Sequence, residues 1–293
     1  NGARNGLLIK GGESIENMNS SQVIAFDKTG TLTEGQPRVV SVKAYGVNKS
    51  KLLSLTATAE YYSEHPLGAS IVEYASEQTK LMPVAPLEAQ VLTGLGISAK
   101  TSDGTVMVGN RQLMSQFDIK LTQAIESHLR KLETAGQTAM IVALEQTIIG
   151  VISVADPIRP GAKQMIAELK KAGKKIVMLT GDNKRTATAI AKQLGIDEVY
   201  SQLLPTDKVQ HIAELQQRYG KVTMVGDGVN DTPALAAADA SVATGGLGKD
   251  IAMEVADIVL LSGDVGRLSY ALGLSRAIMR NIKTNIYFAV SLV

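Results

Sequence analysis

Asp27 closes the short apolar run Val23–Phe26 and opens the polar stretch DKTGTLTEG, which is rich in threonine and glycine. A carboxylate delivered to a strand end, with hydroxyls and backbone N–H groups around it, has the surroundings that the acceptor of a transferred phosphoryl group needs. A lone Asp there is ordinarily a turn former. Three further segments repeat the pattern of polar or charged groups just after an apolar strand: LTGDN at 179–183, PTDK at 205–208 and MVGDGVND at 224–231. Taken singly these read as a helix start, a capped helix with a solvated lysine, and a turn. Their occurrence together, in order and each after a strand, argues for one site. Asp27 is then the nucleophile, while Thr180 and Lys208 bring a hydroxyl and a positive charge to the phosphoryl oxygens. Mg²⁺ takes a few hard oxygens and keeps several waters, so the carboxylates of Asp27 and Asp227 with the Thr29 carbonyl would hold it. Asp231, one helical turn after Asp227, would support the metal shell or orient neighbours. Gly181, Gly226 and Gly228 permit close backbone approach.

These groups can meet only if a fold gathers strand ends. After about residue 154 the chain alternates strand and helix. Lys174–Leu179, Val199–Leu203, Val222–Val225, Ser241–Ala243 and Ile258–Leu261 read as strands. Ala162, Met165, Ile166 and Leu169 give helical spacing before Gly173, and helices are expected over Arg185–Leu194, Thr206–Tyr219 and Asp231–Asp239. Such alternation predicts an α/β, Rossmann-like parallel sheet covered by helices, with function beyond the carboxyl ends of its strands. Residues 36–153 differ. Strands Arg38–Ala44 and Gly104–Val108, a hairpin of Ala139–Leu144 with Ile148–Val154, and helices near Lys51–Tyr62, Pro66–Gln78 and Leu121–Ala135 make an α+β pattern. The simplest account is an inserted domain: segments 1–35 and 154–280 build one domain and 36–153 another, with Pro37 and Asp156–Pro160 as hinges.

Composition excludes several alternatives. A chain of 293 residues suits about two domains. A net charge of +2 gives no reason to expect a nucleic-acid partner. Without Cys there is neither a disulfide framework nor a thiolate metal site, and His65, His128 and His211 lie too far apart in sequence to suggest a histidine cluster. The apolar tail Ile286–Val293 is shorter than the roughly 20 residues a bilayer span needs.

DKTGTLT, TGDN and GDGVNDTPAL resemble the signature segments of the P-type cation-transporting ATPases, whose phosphorylation domain belongs to the haloacid dehalogenase superfamily. The resemblance implies that Asp27 forms an aspartyl phosphate, with Lys28, Thr29, Thr180, Gly181, Asp182, Lys208, Asp227 and Asp231 around it. It also implies that the insert binds ATP, that closure of one domain on the other delivers the γ-phosphate, and that ATP and Mg²⁺ are required. Phosphatases of the superfamily carry an aspartate two residues after the nucleophile as general acid and base. Thr29 cannot transfer that proton, so the phosphoenzyme should persist, as a pump requires.

Ser63-Glu64-His65-Pro66-Leu67 is similar to the SEHPL segment of the heavy-metal-transporting (type IB) subgroup, and Glu60, Gly94–Gly96 and Gly109–Asn110 match its other nucleotide-domain positions. The resemblance implies that Glu60, His65, Gly94, Gly96, Gly109 and Asn110 line the nucleotide site. It makes the chain the loop on the cytoplasmic face of a multi-pass pump, with residues 281–293 as the start of a membrane helix. Actuator and membrane domains, and the transported cation, would lie outside it. Leu292 and Val293 show neither the tyrosine-asparagine pair typical of the copper branch nor the lysine frequent in the zinc and cadmium branch, so the metal is left undetermined, with a slight lean to a divalent ion (Zn, Cd, Co or Fe) over copper. Gly245–Asp250 depart from the subgroup pattern and carry no assigned role. The competing readings are a stand-alone phosphatase of the same superfamily, against which Thr29 argues, and a non-catalytic nucleotide-binding module.

Overall fold

The computed structural model describes residues 6–80, 82–228, 231–244, 254–261 and 264–291. The chain starts with β1 (Leu7–Ile9), α1 (Gly12–Ser20) and β2 (Val23–Asp27), and a tight turn over Lys28–Leu32 follows. Next come β3 (Arg38–Ala44), α2 (Lys49–Ala59), α3 (Pro66–Thr79), β4 (Glu88–Leu92), β5 (Gly96–Thr101) and β6 (Gly104–Gly109). They are followed by α4 (Arg111–Gln116), α5 (Gln123–Thr134), β7 (Thr138–Leu144) and β8 (Thr147–Ala155). The last part holds α6 (Ala162–Lys171), β9 (Lys175–Leu179), α7 (Lys184–Leu194), β10 (Glu198–Tyr200), α8 (Pro205–Tyr219) and β11 (Val222–Gly226). It ends with α9 (Thr232–Ala237), β12 (Ala240–Ala243), β13 (Ile258–Leu260) and α10 (Arg267–Ser291). Two compact units result: residues 1–34, 158–182 and 190–293 form the first, and residues 35–157 with 183–189 the second.

The first unit is built on a seven-stranded sheet of order β1-β13-β12-β11-β2-β9-β10. All its pairings are parallel except β1 with β13. β2 lies between β11 and β9 and is buried at all five positions, as a central strand covered on both faces must be. In α6 the residues at helical spacing, Ala162, Met165, Ile166 and Leu169, are all buried. Leu179 and Met224 of the sheet pack with Ile212 and Leu215 of α8 in one apolar cluster.

The second unit is a six-stranded antiparallel sheet of order β3-β8-β7-β6-β5-β4. Its strands alternate between two cores. Val106, Val108 and Val142 pack with Leu52, Leu53 and Ile71 of α2 and α3, whereas Met107, Ile141 and Ala143 pack with Leu113, Met114 and Leu129 of α4 and α5. Period-two alternation thus buries both faces.

Some expected elements differ. The strand foreseen over Val199–Leu203 stops at Tyr200, because Gln202 turns with φ +61° and Leu203 N–H donates back to the Thr180 carbonyl. The helix foreseen over Asp231–Asp239 is confined to Thr232–Ala237. β1, α1, β4, β5 and α4 were not foreseen, and every residue of β4 but Leu92 is exposed, so no buried stripe marks it. The apolar run from Ile286 ends α10, and Leu292–Val293, like Gly245–Asp250, lie outside the described residues. Among the described residues no helix is long and apolar enough to cross a membrane.

Candidate active site

Register brings the candidate residues of the first unit together. Asp27 pairs with Leu179 of β9, and Phe26 pairs with Val225 of β11. Thr180 and Asp227 are therefore each one step past a strand that flanks β2, at the same carboxyl edge as Asp27. Lys208 arrives from the first turns of α8, whose start is fixed by Pro205 and by Asp207 Oδ2, which accepts from Leu204 N–H at 2.8 Å. PTDK is thus a capped helix start, but its lysine is buried rather than solvated.

Lys208 Nζ donates to Asp27 Oδ1 at 2.6 Å and to Asp231 Oδ1 at 2.6 Å. One ammonium holds two carboxylates, all three with side chains no more than 10% exposed. The electrostatics are unequal. Burial, then repulsion from Asp231, raises the Asp27 carboxyl to about 7 against the pull of Lys208, and Asp227 adds to the rise. Asp231 is raised as well, chiefly by burial. For Lys208 burial favours the neutral amine, but attraction to Asp27 and Asp231 outweighs it and keeps the ammonium charged. Two buried carboxylates against one cation leave a deficit of positive charge. Asp231 Oδ2 is buried without a hydrogen-bond partner, which marks where that deficit is felt.

The turn after Asp27 is held from below. Gly30 has φ +72°, and a Cβ there would sit 2.7 Å from Asp227 Oδ2, so only glycine lets the turn lie against that carboxylate. Thr33 Oγ1 donates to the Lys28 carbonyl at 3.0 Å, and an Arg159 guanidinium N–H donates to the Gly30 carbonyl at 2.9 Å. Thr29 is exposed at the top of the turn. Lys28 Nζ donates to Asp182 Oδ2 at 2.7 Å, tying the turn to the segment after β9. Thr180 is buried and its hydroxyl accepts from Asp182 N–H at 3.1 Å, which leaves the hydroxyl proton to donate elsewhere. Gly181 is exposed beside it.

A magnesium ion fits this donor set. The oxygens are hard, the local charge deficit is negative, and Gly30 lets Asp227 approach the turn that carries Asp27 and Thr29. Among the described residues there is no group of three or more His, Cys, Asp or Glu suited to a metal. An ion that keeps several waters needs no such closed cage. Asp231, expected to support the metal shell or orient neighbours, accepts directly from Lys208.

In the second unit the candidates fall into two local groups. His65 is the N-cap of α3, with Pro66 at the first helical position, and its Nδ1 accepts from Leu67 N–H at 3.2 Å. Glu60 ends α2 and is buried, and burial raises its carboxyl against a hydrogen bond from Ser63. A Cβ on Gly68 would stand 2.4 Å from Glu60 Oε2, so this glycine makes room for the carboxylate. The other group joins the β4–β5 turn to the end of β6. Asn110 Nδ2 donates to the Gly94 carbonyl at 2.8 Å, while Asn110 Oδ1 caps α4 by accepting from Leu113 N–H at 3.0 Å. Gly96 has φ +144°, and Cβ atoms on Gly96 and Gly109 would each fall within 2.3 Å of a backbone carbonyl oxygen. Gly94, Gly96, Gly109 and Asn110 thus form one close-packed backbone corner.

Sequence reasoning passed over Gly30, Gly68, Thr33 and Arg159. Gly30 and Gly68 were within reach, as the middle of DKTGTLT and the residue after SEHPL. Arg159 was read only as part of a hinge. Its bond to Gly30 joins residues 129 apart, and no local signal reports that.

The sequence pattern of the haloacid dehalogenase-like hydrolases matches residues 22–239. A copper-exporting P-type ATPase of Staphylococcus aureus (strain Newman) is 45% identical over 287 residues, covering 98% of this chain and 35% of that protein. Its counterpart in Staphylococcus haemolyticus (strain JCSC1435) is 44% identical over the same shares. The chain therefore spans about a third of the length of the curated relatives it matches. Among solved structures, a zinc-transporting PIB-type ATPase in the E2.Pi state is 38% identical with a TM-score of 0.70, over 99% of this chain and 47% of that one. The catalytic domain of the CPx-ATPase CopB-B, in a study of conformational changes upon nucleotide binding, is 34% identical with a TM-score of 0.71, over 93% of this chain and 96% of that one.

Proposed function

The chain belongs to the haloacid dehalogenase-like hydrolase family, as a catalytic domain of the heavy-metal P-type ATPases, and from that membership we propose that Asp27 accepts the γ-phosphoryl group of ATP. One Asp27 carboxylate oxygen forms a bond to the γ-phosphorus while the bond from that phosphorus to the β–γ bridging oxygen breaks, and ADP leaves with the electron pair. The observation that carries the reading is the Lys208 ammonium set between Asp27 and Asp231 at 2.6 Å from each. Lys208 draws charge from the nucleophile's surroundings and offers it to the incoming phosphoryl oxygens, and the Thr180 hydroxyl offers a hydrogen bond. Asp27, Asp227 and the Thr29 carbonyl would hold Mg²⁺, which supplies charge neutralisation at the phosphate oxygens. Lys28 and Asp182 keep the turn in place, with Gly181 leaving the approach open.

Nucleotide recognition falls to the second unit in this reading. Glu60 accepts from the adenine amino group and His65 contacts the base. Gly94, Gly96, Gly109 and Asn110 bring bare backbone to the ligand. The energy of the phosphoenzyme drives export of a heavy-metal cation bound outside these residues, at the cytoplasmic face of a membrane. The expected lean toward a divalent ion meets relatives named as copper exporters, so the cation is best decided by metal-stimulated ATP hydrolysis in the membrane-embedded parent. Because Thr29 cannot serve as general acid or base, this chain alone should phosphorylate and turn over slowly.

The test is acid-quench labelling with γ-³²P-ATP and Mg²⁺. A hydroxylamine-labile label on the parent chain, absent from Asp27→Asn while nucleotide binding persists, is the expected result. Fast multiple turnover with no lasting acyl phosphate would sink the proposal. Sustained hydrolysis of small phosphate esters would favour a stand-alone phosphatase.

A further inference from the structure

Thr244 stands one residue beyond β12 and is buried. Its hydroxyl oxygen lies 3.3 Å from the Gly30 carbonyl oxygen, 3.3 Å from the Gly226 carbonyl oxygen and 3.4 Å from Thr31 Oγ1. Each of those carbonyls belongs to a segment that carries a carboxylate. Gly30 is in the turn after Asp27, and Gly226 directly precedes Asp227. One hydroxyl therefore touches the backbone behind both residues.

A single hydroxyl proton cannot serve three acceptors. Neither carbonyl depends on it. The Gly30 carbonyl accepts from an Arg159 guanidinium N–H at 2.9 Å, and the Gly226 carbonyl accepts from the Thr244 backbone N–H at 2.9 Å. Removing the hydroxyl would strand no buried acceptor, so its value lies more in its size than in its bond. An oxygen can approach another oxygen to about 2.7 Å with a proton between them, whereas a carbon keeps roughly 3.5 Å from its neighbours. A methyl in place of the hydroxyl would push the two segments apart by a few tenths of an ångström. The same tightness holds at Gly30, where a Cβ would lie 2.7 Å from Asp227 Oδ2. Two small groups, a glycine and a hydroxyl, thus keep the Asp27 turn close to Asp227.

We propose that Thr244 is a positioning residue that sets the gap between the Asp27 turn and Asp227, and so tunes these carboxylates for a cation as small as Mg²⁺. Mg²⁺ demands oxygens at about 2.0–2.1 Å in near-octahedral order, whereas Ca²⁺ accepts about 2.3–2.6 Å in flexible arrangements. A slightly wider gap therefore costs the smaller ion more. This role rests on the reading of Asp27, Asp227 and the Thr29 carbonyl as the Mg²⁺ ligands, and does not depend on transfer of phosphate.

Thermal melts of the whole chain over a range of Mg²⁺ or Ca²⁺ concentrations, without nucleotide, test it. The readout is the ion concentration at which stabilisation sets in, not the melting temperature itself. Thr244→Val keeps the shape and loses the hydroxyl. It should weaken Mg²⁺ at least about tenfold, the scale of a lost supporting contact around a metal, and Ca²⁺ no more than about twofold. Thr244→Ser keeps the oxygen and should retain the parent's preference for Mg²⁺. Ser153→Ala breaks a hydroxyl pair with Ser41 in the second unit and should change neither ion's effect. Equal weakening of both ions by Thr244→Val, or no change in either, would overturn the proposal and leave the Mg²⁺ site standing. A parent whose melting ignores Mg²⁺, or an Asp227→Asn variant that responds as the parent does, would overturn the site and the role of Thr244 together.

Discussion

The strand-end cluster of the first unit and the glycine corner of the second solve opposite problems. Around Asp27 charge is crowded into a buried space, with Lys208 against Asp27 and Asp231, and Asp227 pressed on Gly30. Around Gly96 and Gly109 the lack of side chains lets backbone pack directly on backbone, and the Asn110 amide ties Gly94 to the same corner. Electrostatic strain is useful where charge must move, since a nucleophile in a dry, cation-poor site gains most when its partners arrive. Bare backbone is useful where a flat, mostly neutral group must be held, since its fixed N–H and C=O groups need little reorganisation. The two regions should therefore fail in different ways.

The largest effect is expected at Lys208. Lys208→Met strands two carboxylates in a buried site and should cost about 3–5 kcal/mol of unfolding free energy at neutral pH, read by urea titration. Adding Asp231→Asn should restore a large part of that loss, because it removes one of the two carboxylates left unpaired and its repulsion of the other. No rescue by the second change would show that the lysine matters through packing rather than charge. A smaller effect is expected at Gly96. Gly96→Ala forces a side chain into φ +144° against the Val108 carbonyl oxygen and should cost about 1–3 kcal/mol, with no dependence on pH or salt. It should also weaken ATP binding, as seen by calorimetry. A pH-dependent penalty would blur the contrast between the regions.

The subtlest test is the sign of a pH effect. The Asp27 carboxyl titrates at about 7 when folded and at 3.8 as a free side chain. Its contribution to stability is therefore full below about pH 4 and is lost as pH rises through 7. Asp27→Asn removes that titration, so thermal melts should show the variant gaining on the parent from pH 5 to pH 8. Phosphorylation of the parent at limiting Mg²⁺ should rise over the same interval, because only the carboxylate attacks. A variant whose advantage shrinks toward pH 8 would mean that Lys208 dominates the site.

How much of this could be read from residues alone differs between the two regions. Asp27, Thr180, Lys208 and Asp227 were legible because each follows an apolar strand, and a parallel sheet gathers strand ends by its topology. The burial of Lys208 was not legible, since a capped helix start gives no sign of which way its lysine turns. The second unit was harder. β4 is exposed at every position but Leu92, and β5 buries only Ile97 and Ala99, so Gly94 and Gly96 had little visible framework. Their meeting with Gly109 and Asn110 is a matter of sheet register between segments that periodicity does not connect.

By itself, then, the order of residues determined the type of sheet and pointed to Asp27 as the candidate phosphoryl acceptor with neighbours of a given chemical class, because these follow from local alternation, from which side chains can do the work and from the resemblance of the motifs. Only the tertiary structure decided that one ammonium would serve two carboxylates, that Arg159 would return to brace Gly30, and that the Thr244 hydroxyl would meet the carbonyls of both Gly30 and Gly226. Those outcomes are set by distances between parts of the chain far apart in sequence, and a linear pattern carries no measure of distance.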